Sequence, residues 1–553
     1  MRAVPTKGGC VSRFVEGVMA TAARARTGMV TGEPGAAVRR SWTDLHAQAR
    51  RIAGALVAGG LRPGGAVAVL AGMPAEIAPV AQGVWLAGGS MTMLHQPTPR
   101  TDLEVWRDDT LRVLRMIEAQ SVVVGAPFEP MTPILDAYGI KHYDLAALTS
   151  GPDVDPVDVD EDSPALLQLT SGSTADPKAV RITHRNLYAN LRDSSEHLSC
   201  GEDGVMVSWL PMFHDMGMIG CLALPMLSGL ELVSVTPADF LGRPLLWAEL
   251  LSRYGGTITT APNFAWAVLT RQLARVEPGT LDLSALRVAC NGAEPIDPAT
   301  MRAFVTAAQR FGFDPAAVNC CYGAAESTLA ISLSAVSEPM MLDRVDAAAL
   351  ERENRATPAD GGGAVREIPM LGRPFPSVEV RVVDDDGKPL GDREVGRLQL
   401  RGESVTDGYV TPDGYEPARD ADGWLDIGDE GYLADGQVVV CGRRKDVIIM
   451  AGRNIYPTDI ERAAGSVPGV RDGNVAAVRL LAGDGVARES FAVLAESRQA
   501  TDEAAAKQIA REVTARVVAE IDARPSVVRI LPPGSLPKTP SGKLRRAAAR
   551  GLL

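Results

Sequence analysis

Leu166-Leu167-Gln168-Leu169-Thr170-Ser171-Gly172-Ser173-Thr174-Ala175-Asp176-Pro177-Lys178 is the stretch around which this chain organises itself. Leu166 to Leu169 has strand character, and it runs into a loop of hydroxyl side chains around one glycine. The hydroxyls of Thr170, Ser171, Ser173 and Thr174, with the unhindered backbone at Gly172, form a set of donors suited to wrapping phosphate oxygens. Lys178 adds a compact positive charge. The loop is not a Walker A motif, because G-x-x-x-x-G-K-[ST] is absent. Taken by itself, an ordinary Ser/Gly turn also accounts for the segment.

Outward from that strand, short apolar runs alternate with helical patterns. Ala66 to Leu70, Ser121 to Val124, Val205 to Leu210, Leu232 to Val235 and Leu286 to Cys290 read as buried strands, with amphipathic segments such as Ser41 to Gly59 between them. This alternation predicts an α/β fold with mostly parallel sheets. After Gly372 the period changes to two, in Val378 to Val383 and Gly396 to Leu400, with turn signals at Asp385-Asp386-Gly387 and Ala434-Asp435-Gly436. That predicts a β-rich subdomain over about 372–441. From about Lys445 a further α/β unit begins. Ile509, Val513, Val517 and Ile521 fall four apart on one helix face, and Val527 to Ile530 follows as a strand. Residues 338–369 read as a polar insertion, with a short helix over Leu342 to Glu351 and a loose loop at Gly361-Gly362-Gly363.

The 553 residues exceed what one hydrophobic core supports, so at least two domains are expected. A hydrophobic content of 46% and a charged content of 22% are ordinary for a soluble globular protein. Arg13, Glu16, Arg24 and Arg26 interrupt any apolar core near the N-terminus, so Phe14, Val15, Val18 and Met19 predict an amphipathic helix and not a signal peptide. No transmembrane run occurs; Ile219 to Leu227 is apolar, but Gly220 and Pro225 interrupt it and it reads as buried core. The expected location is cytoplasmic. The 7 cysteines include no C-x-x-C pair and read as reduced thiols. A net charge of −12 argues against a nucleic-acid partner. From Asp446 to Leu553 the balance is +4, leaving −16 on the rest. A basic tail of that kind faces either an acidic partner, nucleotide phosphates or simply solvent.

A second lysine-bearing segment, Pro537-Lys538-Thr539-Pro540-Ser541-Gly542-Lys543, lies near the end of the chain. It reads as a lysine delivered from a separate lid, or as a solvated basic tail with Arg545 and Arg546. Other segments also carry two readings: Tyr322 as a ligand platform or a core aromatic, Glu326 as a ligand or a cap, and Asp429 as a ligand or a turn residue.

The Thr170 to Lys178 stretch resembles the phosphate-loop signature of the adenylate-forming superfamily, which comprises acyl-CoA synthetases, luciferases and nonribosomal adenylation domains. Further blocks recur in that family's order across nearly the whole chain. Tyr322-Gly323-Ala324-Ala325-Glu326-Ser327 is similar to the block whose ring stacks on adenine and whose Glu binds Mg²⁺. Gly423-Trp424-Leu425-Asp426-Ile427-Gly428-Asp429 resembles the block whose last Asp binds ribose, and Gly442-Arg443-Arg444-Lys445-Asp446 resembles the hinge block. The resemblance implies ATP and Mg²⁺ as cofactors. It places Thr170, Ser171, Gly172, Ser173, Thr174, Lys178, Gly292, Ala293, Glu294, Tyr322, Gly323, Asp429 and Arg443 on the nucleotide, and Thr170 and Glu326 on the metal. Lys543, Glu326, His214 and Lys445 are the implied catalytic set. Lys543 bridges carboxylate and α-phosphate, Lys445 is the pivot, and His214 gates the pocket or is merely packed. The implied organisation is a large N-terminal domain over 1–442, built of two α/β subdomains with parallel-rich sheets plus the small β-rich subdomain, then a hinge at 443–446 and a small mobile α/β C-terminal lid over 447–553.

Ser208-Trp209-Leu210-Pro211-Met212-Phe213-His214-Asp215-Met216-Gly217-Met218, Phe240-Leu241-Gly242-Arg243-Pro244, Ala261-Pro262-Asn263-Phe264-Ala265 and Ala451-Gly452-Arg453-Asn454-Ile455-Tyr456-Pro457 resemble the fatty acyl-AMP ligase subfamily, as does the position of the insertion at 338–369. In those enzymes the insertion restrains lid rotation. The acyl group then passes to the phosphopantetheine arm of a holo acyl carrier protein, with CoA a poor acceptor. The implied substrate is therefore a fatty acid. A fatty acyl-CoA ligase and an inactive scaffold are the competing expectations.

Overall fold

The computed structural model describes residues 11–97, 101–170, 177–450, 452–471, 473–481, 489–539 and 542–553. Its centre is a nine-stranded sheet. Six strands run parallel in the order Val318–Gly323, Val288–Asn291, Ile258–Ala261, Val205–Ser208, Glu231–Ser234 and Gly28–Thr31, and antiparallel strands close both edges. An eight-stranded sheet lies beside it. Pro164–Leu169, Ser90–Met93, Ala66–Leu70, Ser121–Val124 and His142–Asp144 are parallel there, while Ala179–Thr183, Gly408–Thr411 and Gly414–Pro417 continue it antiparallel. One hydrophobic core draws on both sheets, from Val67 and Met91 to Met206 and Val288, and it takes in Phe14 and Val18 of the amphipathic helix Arg13–Arg24. The expected strand at Val205 stops at Ser208, because Pro211 follows and Trp209 turns to stack on Phe240 at 3.9 Å.

The apolar stretch from Met216 forms a π-helix, Met216–Ala223, that passes into the α-helix Leu224–Ser228. Every residue of the π-helix is buried, so this stretch is core, as its composition implies.

The period-two region forms a four-stranded antiparallel sheet of Glu379–Val383, Gly396–Arg401, Leu425–Ala434 and Gln437–Arg443. Asp435 and Gly436, at φ 51° and 76°, make the two-residue turn that a tight hairpin requires. A 3₁₀ turn, Arg444–Asp446, leads out of it into the C-terminal unit. That unit holds a hairpin, Ile448–Met450 with Arg453–Ile455, a helix Pro457–Gly465, and a sheet of Val475–Leu480, Ser490–Glu496 and Val527–Leu531. The helix Glu503–Ile521 covers this sheet with Ile509, Val513, Val517 and Ile521 buried. Each such side chain contributes about 1.5–3 kcal/mol, enough to give the unit its own core.

The insertion departs from expectation. Leu342–Asp346 is a strand, paired antiparallel with Val365–Pro369, and the helix is confined to Ala347–Glu353. The alternation Leu342, Arg344, Asp346 against Asp343, Val345 has period two. The Asp346 carboxylate then accepts from the Ala349 amide and starts the helix one turn later than expected. Nor is the segment wholly polar: Val345, Leu350, Ala356 and Ile368 are buried in a cluster that includes Tyr432 and Tyr456. Among the described residues no helix is long and apolar enough to cross a membrane.

Candidate active site

A cavity of about 2170 Å³ opens between the large body and the C-terminal unit. Thr170, Lys178, His214, Ala293, Glu294, Tyr322, Gly323, Glu326, Asp429, Arg443, Lys445 and Lys543 all line it. Residues more than 370 positions apart thus meet in one place. Ser171, Gly172, Ser173 and Thr174 lie outside the described residues. Gly292 does not line the cavity. A Cβ there would stand 2.1 Å from Cys321 Sγ, so this glycine permits close strand packing.

At one end the strand Pro164–Leu169 delivers Thr170, whose amide donates to the Lys178 carbonyl at 3.2 Å and draws the loop ends together. The Thr170 hydroxyl is buried and has no partner among the described residues. Such an orphan costs about 1–3 kcal/mol unless something binds it. Lys178 Nζ sits 3.8 Å from the centre of the Tyr409 ring, and the Tyr409 hydroxyl donates to Glu326 Oε1 at 3.0 Å. A second chain runs alongside. The Tyr322 hydroxyl donates to Asp429 Oδ2 at 2.7 Å, and Arg443 Nε lies 3.0 Å from Asp429 Oδ1. Asp429 and Arg443 are register partners on adjacent strands, which is why a Gly-Asp block and an Arg block meet despite their separation. Burial raises the Asp429 pKa, and Arg443 and Tyr322 offset it only in part. Burial, with Asp429 beside it, pushes the Tyr322 phenol well above its ordinary value. Tyr409 had no signal in its own neighbourhood. It arrives because Gly408–Thr411 pairs with Ala179–Thr183, just beyond Lys178.

Lys543 comes from the opposite side. The Thr539 amide donates to the Lys543 carbonyl at 2.7 Å, and the Lys543 amide donates to Thr539 Oγ1 at 3.0 Å. Arg546 anchors the same segment to Glu461 at 2.7 Å and Asp446 at 3.3 Å. Thr539, Lys543 and Arg546 are therefore tied to the C-terminal unit and are not part of a solvated extension. Burial lowers the Lys543 pKa, and the Asp215 and Glu294 carboxylates restore part of it. Glu294 accepts from the Phe264 amide at 2.6 Å; its burial raises its pKa. Burial also works to raise Asp215, but His214, Lys543 and the Met216 amide outweigh it and hold the carboxyl at about 2. His214 Nδ1 is 2.6 Å from Asp215 Oδ1. Lys445, in the 3₁₀ turn, is pushed down by desolvation and by Arg443 and Lys178.

The cavity has an apolar arm that runs into the core past Leu198, Met206, Leu224, Val288 and Leu333. Met216, Gly220 and Leu224, four apart on the π-helix and its continuation, line one wall. A Cβ on Gly220 would meet Leu329 Cδ2 at 3.1 Å, so the absent side chain lets Leu329 pack close against this wall and leaves little room for a larger residue.

The insertion and the C-terminal unit are fastened together. Arg453 pairs with Glu351 at 2.8 Å, Asn454 donates to Asn354 at 2.8 Å, and Arg366 pairs with Asp459 at 3.0 Å. Arg366 also lies over the Tyr456 ring at 4.2 Å. Arg366 and Glu351 are contacts that local pattern did not reveal.

The family model described as "AMP-binding enzyme" matches residues 20–410. The chain is 53% identical to "Putative ligase Rv1013" of Mycobacterium tuberculosis, over 97% of this chain and 99% of that protein. It is 33% identical to the medium-chain-fatty-acid–[acyl-carrier-protein] ligase JamA of Moorena producens, over 71% of this chain and 68% of JamA. Among solved structures, one from a study of fatty acyl-adenylate ligases from E. coli and L. pneumophila superposes with a TM-score of 0.89. It is 30% identical, with 99% of each chain covered.

Proposed function

The chain belongs to the AMP-binding enzyme family, as a ligase of the adenylate-forming fold, and from that premise we propose that it joins a fatty acid to AMP and then passes the acyl group to a holo acyl carrier protein. The observation that carries this reading is the convergence of Lys543 with Thr170 and Lys178 on a cavity that continues into an apolar arm. JamA, by its name, joins medium-chain fatty acids to acyl carrier protein, which supports the same acceptor here.

In the first step the fatty-acid carboxylate attacks the α-phosphorus of ATP in line, and pyrophosphate leaves. Two anions approach each other, so positive charge and oriented donors set the rate. Lys543 would lie between carboxylate and α-phosphate, with Lys178 on the outer phosphates, Tyr322 under adenine, and Asp429 with Arg443 on ribose. The Thr170 hydroxyl, without a partner among the described residues, and the Glu326 carboxylate fit Mg²⁺, which takes few protein oxygens and completes its shell with phosphate and water. When bound, that ion would neutralise phosphate charge. Lys543 then has to leave for a thiol to enter, and the 3₁₀ turn at Arg444–Asp446 is the proposed hinge. The contacts of Glu351, Asn354 and Arg366 with the C-terminal unit would limit that rotation and disfavour CoA.

The test offers ATP, a fatty acid and either holo carrier protein or CoA. Pyrophosphate release that depends on the acid, with acyl carrier protein as the dominant product by mass spectrometry, is expected. Abundant acyl-CoA would replace the acceptor assignment, and no acid-dependent pyrophosphate release would remove the reading. A related prediction concerns the arm. Gly220→Leu should cut palmitate-dependent pyrophosphate release about tenfold relative to hexanoate, since overpacking costs about 1–3 kcal/mol where the chain must pass. An unchanged preference would show that the acyl chain runs elsewhere.

A further inference from the structure

We propose that His214 and Asp215 act as a proton-accepting pair in the thiol step, with His214 as the base and Asp215 as its positioning residue. This rests on the acyl-adenylate reading above and adds a residue role that the first step does not need. At neutral pH a pantetheine thiol is mostly protonated, since an ordinary thiol ionises near ~8.5. The attacking species is the thiolate, so something must take the proton.

The geometry supplies a candidate. Asp215 Oδ1 stands 2.6 Å from His214 Nδ1 and also accepts from the Met216 amide at 2.7 Å. That amide is farther, 3.3 Å, from Nδ1 itself, so the carboxylate is its main partner. A carboxylate held by backbone and turned toward Nδ1 selects the tautomer with its proton there and leaves Nε2 as the acceptor. Among the described residues no hydrogen bond to His214 Nε2 is made. The backbone that carries the pair is fixed from the phosphate side, because Gln168 Nε2 donates to the Phe213 carbonyl at 3.0 Å.

The pair also sits where the reaction would take place. His214 and Asp215 line the same cavity as Lys543, and Met216, next in the chain, belongs to the wall of the apolar arm. The charged and titratable groups that face them are Asp215 and His214 themselves, Lys543 from the C-terminal unit and His95 from the strand end above. His95 packs edge-on against Phe213 at 5.7 Å, and burial lowers its pKa to about 4, so it stays neutral and adds no competing charge. Lys543 is different. Beside Asp215 it would repel an imidazolium forming on His214, so the base becomes effective only after the lysine withdraws. One cation thereby separates the two steps in time. In the thiol step the sulfur bonds to the acyl carbon and the carbon–oxygen bond to phosphate breaks. AMP leaves with that electron pair, and the thiol proton goes to His214 Nε2 and then to solvent.

The experiment uses the full chain with decanoate, ATP and pantetheine as the probe thiol, and follows pyrophosphate and thioester separately. His214→Ala and Asp215→Asn are expected to lower thioester formation about 10²-fold, the lower range for losing a general base, and to lower adenylation far less. Added imidazole should restore thioester formation in His214→Ala. The pH profile of that variant should follow thiol ionisation alone, whereas the wild type reaches its plateau at lower pH. His214→Gln serves where the alanine variant does not fold. Equal losses in both steps, or an unmoved pH profile with no imidazole rescue, would overturn the pair. A wild type that releases pyrophosphate isolates such a failure to the pair; a wild type that releases none overturns the underlying reading and the pair together.

Discussion

Lys543→Ala is expected to slow acyl-adenylate formation about 10³-fold, at the upper end of what loss of one preorganised charge partner costs. The structure explains why the loss should be large. The ammonium is drawn into the cavity, away from bulk water, and its counter-charges are the carboxylates of Asp215 and Glu294. Neither carboxylate can serve the reaction in its absence. Removing the lysine leaves two half-buried acids facing an incoming carboxylate, so the site turns from attractive to repulsive. Lys543→Arg keeps the charge but not the compact head, and should recover only part of the rate. The pH dependence follows from the same burial. Desolvation moves the Lys543 pKa down from its ordinary value, so the active ammonium is present at lower pH and is lost as pH rises through the lowered pKa. Adenylation should therefore decline on the alkaline side before a free lysine, near ~10.4, would titrate. Stopped-flow pyrophosphate release across pH measures both effects. A variant with wild-type adenylation would show that another cation meets the α-phosphate.

Much of this site was legible because its parts are short blocks with unusual composition. Thr170, Lys178, Tyr322, Asp429, Arg443 and Lys543 each stand in a stretch where glycine, hydroxyl or charge would be out of place in plain core. What stayed hidden was created by pairing. Tyr409 reaches Glu326 and Lys178 only because its strand adds to a sheet whose neighbouring strand lies over 200 residues earlier. Glu351 and Arg366 look like ordinary surface charges until the insertion folds back on the C-terminal unit. The strand at Leu342 departs from the expected helix because five residues with two acids and an arginine carry little apolar signal; its Val345 alone is fully buried. The π-helix at Met216 was visible as apolar core, but its register, which turns Gly220 toward Leu329, was not. Periodicity reveals which face is buried, and it is silent on which distant element covers that face.

Lys445→Pro should separate the two steps. Lys445 sits within a one-turn 3₁₀ element whose following residue, Val447, donates to the carbonyls of Arg443 and Arg444. Proline fixes φ near about −65°, inside the range of a 3₁₀ turn, so the arrangement seen here is broadly retained at this residue. Swinging Lys543 out of the cavity requires a large dihedral change at the junction between Arg443 and Val447, because the strand before it and the hairpin after it are both paired. A rotation that takes residue 445 out of the proline range would cost about 3 kcal/mol or more. That corresponds to roughly 10²-fold or more in thioester formation. Adenylation, which uses the arrangement already present, should fall much less. Parallel assays of pyrophosphate and thioester on one preparation give the ratio. Equal losses would mean that the proline disturbs the site itself through Arg443 and Asp429, which flank it. Loss confined to the thiol step would place the pivot at Lys445 and make the Glu351–Arg453 and Arg366–Asp459 pairs the restraint that rotation has to overcome.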